Sequence, residues 1–229
     1  MRVAGLDSSG PNYKVIGIIT GEPAILKALY YSVRGGRKRL HLRKMGRRDR
    51  EEIAQRFLNE LKGLRGVVRA LYIRTGVAEA LAEARHRFPY TPSSRIRKAC
   101  LSALASFLVA TLADLGVKKV YCDHEVAELL RVLGLDLRTG GYPAELADVV
   151  AWLGHKVESG RWDPKRAFTG LLEVLDCSGR LKRLTLEKLE KRRCRAHINP
   201  RSPASTDAER GGFGPHPHNL NPIYVISLP

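Results

Sequence analysis

Hydrophobic and polar positions along this chain fall into blocks whose period switches repeatedly between that of a strand and that of a helix. Val3–Leu6 is a short apolar run that reads as a buried strand. Asp7 stands at its carboxyl end, and Ser8, Ser9 and Gly10 turn the chain. Lys14–Thr20 reads as a second strand, closed by Gly21-Glu22-Pro23, and Ala28–Val33, rich in Tyr and Val, as a third. Three strands on short turns predict an antiparallel meander. Ile53, Phe57, Leu58 and Leu61 then share one face of a helix over 49–61, with Asp49, Glu51 and Glu52 at its positive end. Val67–Ile73 reads as a fourth strand. A helical pattern begins at Val77, breaks at Phe88-Pro89-Tyr90-Thr91-Pro92 and resumes in the longest helix, over 95–115, which Gly116 ends.

The second half repeats the opening arrangement. Val117–Cys122 reads as a strand that ends in Asp123, and Glu125 opens a short helix reaching about residue 133. Leu135–Arg138 is a brief strand, and Pro143 starts a helix that runs to about Val157. Leu146, Val149, Val150, Leu153 and Val157 form its apolar stripe, while Asp148 shares the other side with Ala144, Ala151, Trp152 and His155. Beyond Gly160 the character changes. Phe168–Leu175 reads as helical, Leu181–Arg195 as a basic helix, and 197–229 as irregular, rich in Pro, Gly, Ser and His. The expected division is a domain over 1–158, a basic helical extension over 159–196 and a tail over 197–229. The apolar run Ile223–Leu228 in that tail is able to dock as an edge strand.

Composition sharpens the picture in three ways. First, 229 residues at 44% hydrophobic are enough for one sizeable core. No run of about 18 uninterrupted apolar residues is present, so a cytoplasmic protein with no membrane partner is expected, its oligomeric state left open. Second, a formal charge of +17 and a pI near 10.1 point to a polyanionic partner, nucleic acid before anything else. The charge concentrates in the segment that holds Arg37, Lys38, Arg39, Arg43, Lys44, Arg47 and Arg48. That segment is either a solvated hairpin and loop or an edge that contacts phosphates. Third, Gln55 is the only glutamine and Arg far outnumbers Lys, a composition that suggests a hyperthermophile. Cys100, Cys122, Cys177 and Cys194 lack C-x-x-C spacing and read as buried thiols, and His216-Pro217-His218 is a weak metal-binding pattern.

Three acids carry the chemical interest, and each has two readings. Asp7 either closes an Asx-turn or holds a cation, because a carboxylate at the end of a central strand is costly to bury. Asp123 either caps the helix that follows it or returns to the edge where open α/β sheets bind ligands. Asp148 either faces solvent or approaches the other two.

The order of elements, with acids at the first strand, a later strand and a late helix, resembles the ribonuclease H-like fold. That fold has a mixed five-stranded sheet, antiparallel meander plus parallel strands, flanked by helices. Asp7-Ser8-Ser9-Gly10, Leu40-His41 and Leu146-Ala147-Asp148-Val149-Val150-Ala151 are similar to motifs of the ribonuclease H-like family catalogued as domain of unknown function 3800. The likeness covers about residues 1–158. Arg39 departs from it, standing where that family usually has an acid, a gap that Glu125 or an acid of the Asp49–Glu52 group would have to fill. The resemblance implies that Asp7, Asp123 and Asp148 meet at one rim, with Glu125 as a further ligand, and hold Mg²⁺ or Mn²⁺, which favour oxygen donors. It further implies metal-dependent nuclease activity in which His41 shuttles protons and the basic segment follows the phosphate backbone. The rival reading is a non-catalytic nucleic-acid-binding or scaffolding protein on the same fold. A third, a zinc-binding accessory of ribosomes or RNA processing, rests on charge and the histidines near the end of the chain.

Overall fold

Strict alternation sets the two faces of the central strand. In β1 (Arg2–Ser9), Ala4 and Leu6 enter one core and Val3 the other, so Gly5 and Asp7 share the face of Val3. The structure, a computed structural model, describes residues 1–131, 135–162 and 171–198, with 192–198 described by backbone alone. β1 pairs antiparallel with β2 (Val15–Gly21), bringing Asp7 opposite Gly17, and β2 pairs antiparallel with β3 (Arg69–Arg74). On its other side β1 runs parallel to β4 (Val117–Cys122), Leu6 opposite Cys122, and β4 runs parallel to β5 (Asp136–Thr139). A central strand with an antiparallel ladder on one flank and parallel strands on the other is the ribonuclease H-like arrangement. The sheet has six strands rather than five, in the order β5-β4-β1-β2-β3-β6.

Two elements differ from the sequence reading. Residues 28–33 are not a strand: they belong to helix α1 (Pro23–Arg34), and the third strand of the meander is β3. Tyr and Val in that stretch favour strands, yet Leu26, Leu29, Tyr30 and Val33 recur at helical spacing and are all buried, and Pro23 opens the first turn. Burial of that stripe outweighs local propensity. Nor are residues 172–175 helical. They lie in β6 (Leu172–Asp176), which pairs parallel with β3 and is tied to it by a two-pronged contact of Arg69 with Glu173 at 2.9 and 2.7 Å. Residues 163–170, His216, His218 and Ile223–Leu228 lie outside the described residues.

Helices cover both faces. α1, α2 (Arg47–Gly63) and α6 (Tyr142–Glu158) pack on the face of Asp7. α3 (Val77–Arg87), α4 (Ser93–Asp114), α5 (His124–Leu130) and α7 (Ser178–Ile198) pack on the other. Leu181, Leu186 and Leu189 of α7 are buried in that second core, so the chain beyond residue 158 adds both a strand and core side chains. By length and composition α4 could cross a membrane. Here Ile96, Cys100, Leu104 and Leu108 are buried in the domain core, each large aliphatic group contributing about 1.5–3 kcal/mol. Cys100, Cys122 and Cys177 are free, buried thiols.

The packing of α6 on the sheet positions the site. A Cβ on Gly5 would fall on the Pro143 carbonyl, and one on Gly17 on the backbone of Ala147 and Ala151. Glycines on the strands and alanines on the helix therefore let α6 lie on β1 and β2 at backbone contact.

Candidate functional site

The strand order places the carboxyl ends of β1 and β4 side by side, and their terminal acids follow. Asp7 accepts the Ser8 amide at 2.6 Å, but both residues lie within β1, paired with Gly17 and Ile16, so Asp7 does not close a turn. Its carboxyl also hydrogen-bonds that of Asp123 and lies within electrostatic reach of Asp148. Asp123 caps α5 by accepting the Val126 amide at 2.8 Å, so capping and convergence are both realised. Asp148 is only 8% exposed, which excludes a solvated face. Close packing of α6 drives it inward, and the Leu42 amide donates to its Oδ2 at 3.1 Å.

Three like charges at one rim cannot all ionise cheaply. The Asp7 pKa is pushed up to about 9, chiefly by burial, then by the negative charges of Asp148 and Asp123 and by the hydrogen bond with Asp123; the Ser8 amide opposes this. Burial also raises Asp148, against the Leu42 amide and the positive fields of Arg43 and His41, while Asp123 adds a smaller upward push. A proton shared within the set relieves the repulsion, and it belongs to the group of acids rather than to one of them.

The basic segment reaches this rim through one short stretch. Residues 40–44 lie across the amino-terminal half of α6. Leu40 donates its amide to Glu145 Oε2 at 2.9 Å, and Tyr30 donates its hydroxyl to the same oxygen at 2.7 Å. Leu40 and Leu42 are buried, so this stretch is anchored by apolar contact as well. Arg43 donates to the Ser8 carbonyl at 3.3 Å and faces Asp148, and His41 is exposed beside it. The other cations diverge. Arg37 is paired with Asp49 and Glu52 at 3.2 and 3.6 Å, and Arg47 with Glu51 at 2.9 Å. Lys38, Arg39, Lys44 and Arg48 are exposed, with no carboxylate partner among the described residues. On α7, Lys182 pairs with Glu83 at 3.2 Å and Arg183 with Glu187 at 3.8 Å.

Glu125 stands apart from the rim's centre. It is exposed in the first turn of α5, its carbonyl accepts the Tyr13 hydroxyl at 3.4 Å, and its charge raises the Tyr13 pKa, behind burial. Sequence reasoning missed the Glu145–Leu40–Tyr30 clamp and the role of Tyr13. The three-residue spacing of Glu145 and Asp148 on one helix was the available signal for the clamp.

As a donor set, Asp7, Asp123 and Asp148 offer hard oxygens with repulsion that a divalent cation would relieve, which suits Mg²⁺ or Mn²⁺. Among the described residues, no three His, Cys, Asp or Glu side chains are already arranged as ligands of a metal ion. Binding one would require the shared proton to leave and the carboxylates to draw together.

No family model matches the sequence, and no curated protein matches it. A solved structure of a complex of PCNA and RNase HII from Archaeoglobus fulgidus aligns over 92% of this chain and 98% of that chain, at 15% identity and a TM-score of 0.39.

Proposed function

We propose that the protein is a Mg²⁺- or Mn²⁺-dependent nuclease-like enzyme that hydrolyses phosphodiester bonds in nucleic acid. The observation that carries this is the convergence of three acids: Asp7 near the end of the central strand, Asp123 at the end of the neighbouring β4, and Asp148, buried on α6 and within electrostatic reach of Asp7. In this reading Asp7, Asp123 and Asp148 hold the metal, and Glu125 lies at the outer side of the same rim. When bound, the metal supplies an activated water and stabilises charge on the leaving oxygen. The chain's own residues do the rest. The Leu42 amide fixes the orientation of Asp148, Arg43 neutralises a substrate phosphate, and His41 is exposed where it can hold or pass a proton. We further propose membership of the family catalogued as domain of unknown function 3800, on the motifs at Asp7, His41 and Asp148.

The test is cleavage of labelled RNA and DNA with Mg²⁺ or Mn²⁺. Activity should vanish in Asp7→Asn, a variant that keeps the neutral shape of the protonated acid. A specific arrangement favours the second reading, a non-catalytic nucleic-acid binder. Asp123 is engaged in capping, and Asp148 is satisfied by Leu42 and by the field of Arg43. In that case wild type and Asp7→Asn bind alike and neither cleaves.

A further inference from the structure

The turn that follows the Asp7 strand is strained, and it forms one wall of a groove on the face away from α6. Asn12 and Tyr13 both lie in the left-handed region, at φ 53° and 55°. Asn tolerates that conformation, but a Tyr does so only when its surroundings hold it there. They do: the buried Thr75 hydroxyl donates to the Tyr13 carbonyl at 2.7 Å, and the Thr75 amide donates to the Lys14 carbonyl at 3.3 Å. The conformation seats Tyr13 between the acid rim and α4, its hydroxyl directed to the start of α5.

Two adjoining cavities open there, both lined by Arg97 and Ser94. One, of about 510 Å³, runs between Tyr13, Leu101, Ala105 and Leu129, with Lys98 at its edge. The other, of about 480 Å³, runs between Asn12, Leu81 and Arg85. Arg85, Arg97 and Lys98 are exposed and have no carboxylate partner among the described residues, whereas nearby Arg87 and Lys182 are both paired with Glu83. Tyr90, in the α3–α4 connection between Arg85 and Ser93, is 99% exposed. The groove therefore combines unpaired cations, an apolar floor and Tyr13, with Glu128 at its side held by Arg131 at 2.6 Å and Tyr90 exposed in the neighbouring connection. Tyr13, within electrostatic reach of Asp123, links it to the acid rim. Duplex surfaces present phosphates but bury their bases. A floor of this character suits a chain whose bases are unpaired, with cations on the backbone and aromatic rings on the bases.

We propose that this groove takes single-stranded nucleic acid and leads it to the acid rim, Arg85, Arg97 and Lys98 meeting phosphates and Tyr90 and Tyr13 stacking on bases. The inference rests on the nucleic-acid reading above and names its substrate class. The test uses the full chain in EDTA, so that nothing is cleaved, with fluorescent single strands of RNA and DNA and the matching duplexes followed by anisotropy across a salt series. The double variant Arg97→Ala/Lys98→Ala should weaken single-strand binding tenfold or more and flatten its log–log salt dependence by about 1.4, or about 0.7 per lost cation. Tyr90→Ala should weaken it roughly tenfold without changing that slope. Duplex binding should be unchanged in both. All three side chains are exposed, so unaltered circular dichroism and melting temperature establish that the variants fold. The proposal is overturned if the double variant binds single strands as wild type does, if it loses duplex affinity equally, or if wild type binds no single strand. Cleavage with Mn²⁺ separates the two readings. If wild type never cleaves yet the double variant loses single-strand binding, the nuclease reading falls and the groove stands. If Asp7→Asn abolishes cleavage while the double variant binds normally, the reverse holds.

Discussion

The two faces of the sheet are packed by different rules, and the difference assigns them different work. On one face α6 meets β1 and β2 backbone to backbone, across Gly5 and Gly17, and leaves no space for a side chain between them. On the other, α4 stands off on Ile96, Leu104, Phe107 and Leu108, and a groove remains beside it. Close approach is what carries Asp148 to Asp7, since a carboxylate on a helix at ordinary distance from the sheet would stay wet. Side-chain-spaced packing tolerates a concave surface at its margin. The tight face builds a charged centre, and the looser one leaves room for a ligand.

The sharpest way to break this contrast is to thicken the tight face. Gly17→Val should prevent folding altogether, because the added atoms meet helix backbone that cannot turn aside, and the loss of near-ultraviolet dichroism would report it. Gly179→Ala, where nothing lies within 4 Å, should leave stability unchanged or raise it by up to about 1 kcal/mol. On the looser face, Leu104→Ala should leave a cavity and cost about 2–5 kcal/mol in urea unfolding while preserving the fold.

Titration tests the charged centre itself. The folded Asp7 pKa lies near 9, and the unfolded value near 3.9. Between those pH values the folded state holds a proton that the unfolded state has released, so stability falls as pH rises through that window. Asp7→Asn should remove this contribution. Its melting temperature should exceed that of wild type at pH 8, and the two should converge toward pH 4. Identical pH profiles would mean that Asp7 is ionised in the fold. Mn²⁺ should raise the wild-type melting temperature at pH 8 and leave that of Asp7→Asn nearly unmoved. A modest effect is expected at the clamp. Tyr30→Phe removes one hydrogen bond to Glu145 and should cost about 1 kcal/mol, with no change in the Asp7 titration.

Much of the site could be read from the chain because its parts are local. An apolar run leading to an acid marks both Asp7 and Asp123, and the periods of β2, β4, α2, α4 and α6 name their elements within a residue or two, while β1 runs three residues beyond Leu6, to Ser9. Where local signals compete, the reading failed. Residues 28–33 carry strand-favouring side chains on a helical stripe, and 172–175 carry a helix-like pattern on an edge strand whose outward residues, such as Val174, are exposed. In each case the partner surface decided, and that surface is formed by residues far away in the chain.

By itself the sequence determined the period of each element, the basic balance of the surface and the residue types able to hold a divalent ion. Tertiary structure alone decided that Asp148 turns inward, that Arg37 is drawn to acids of α2 while Arg43 reaches the rim, and that Tyr13 borders a groove. The physical reason is range. Periodicity and turn chemistry act over a few residues, whereas the proton shared by the acids depends on desolvation and on charges that come together only when β1, β4 and α6 close on one another.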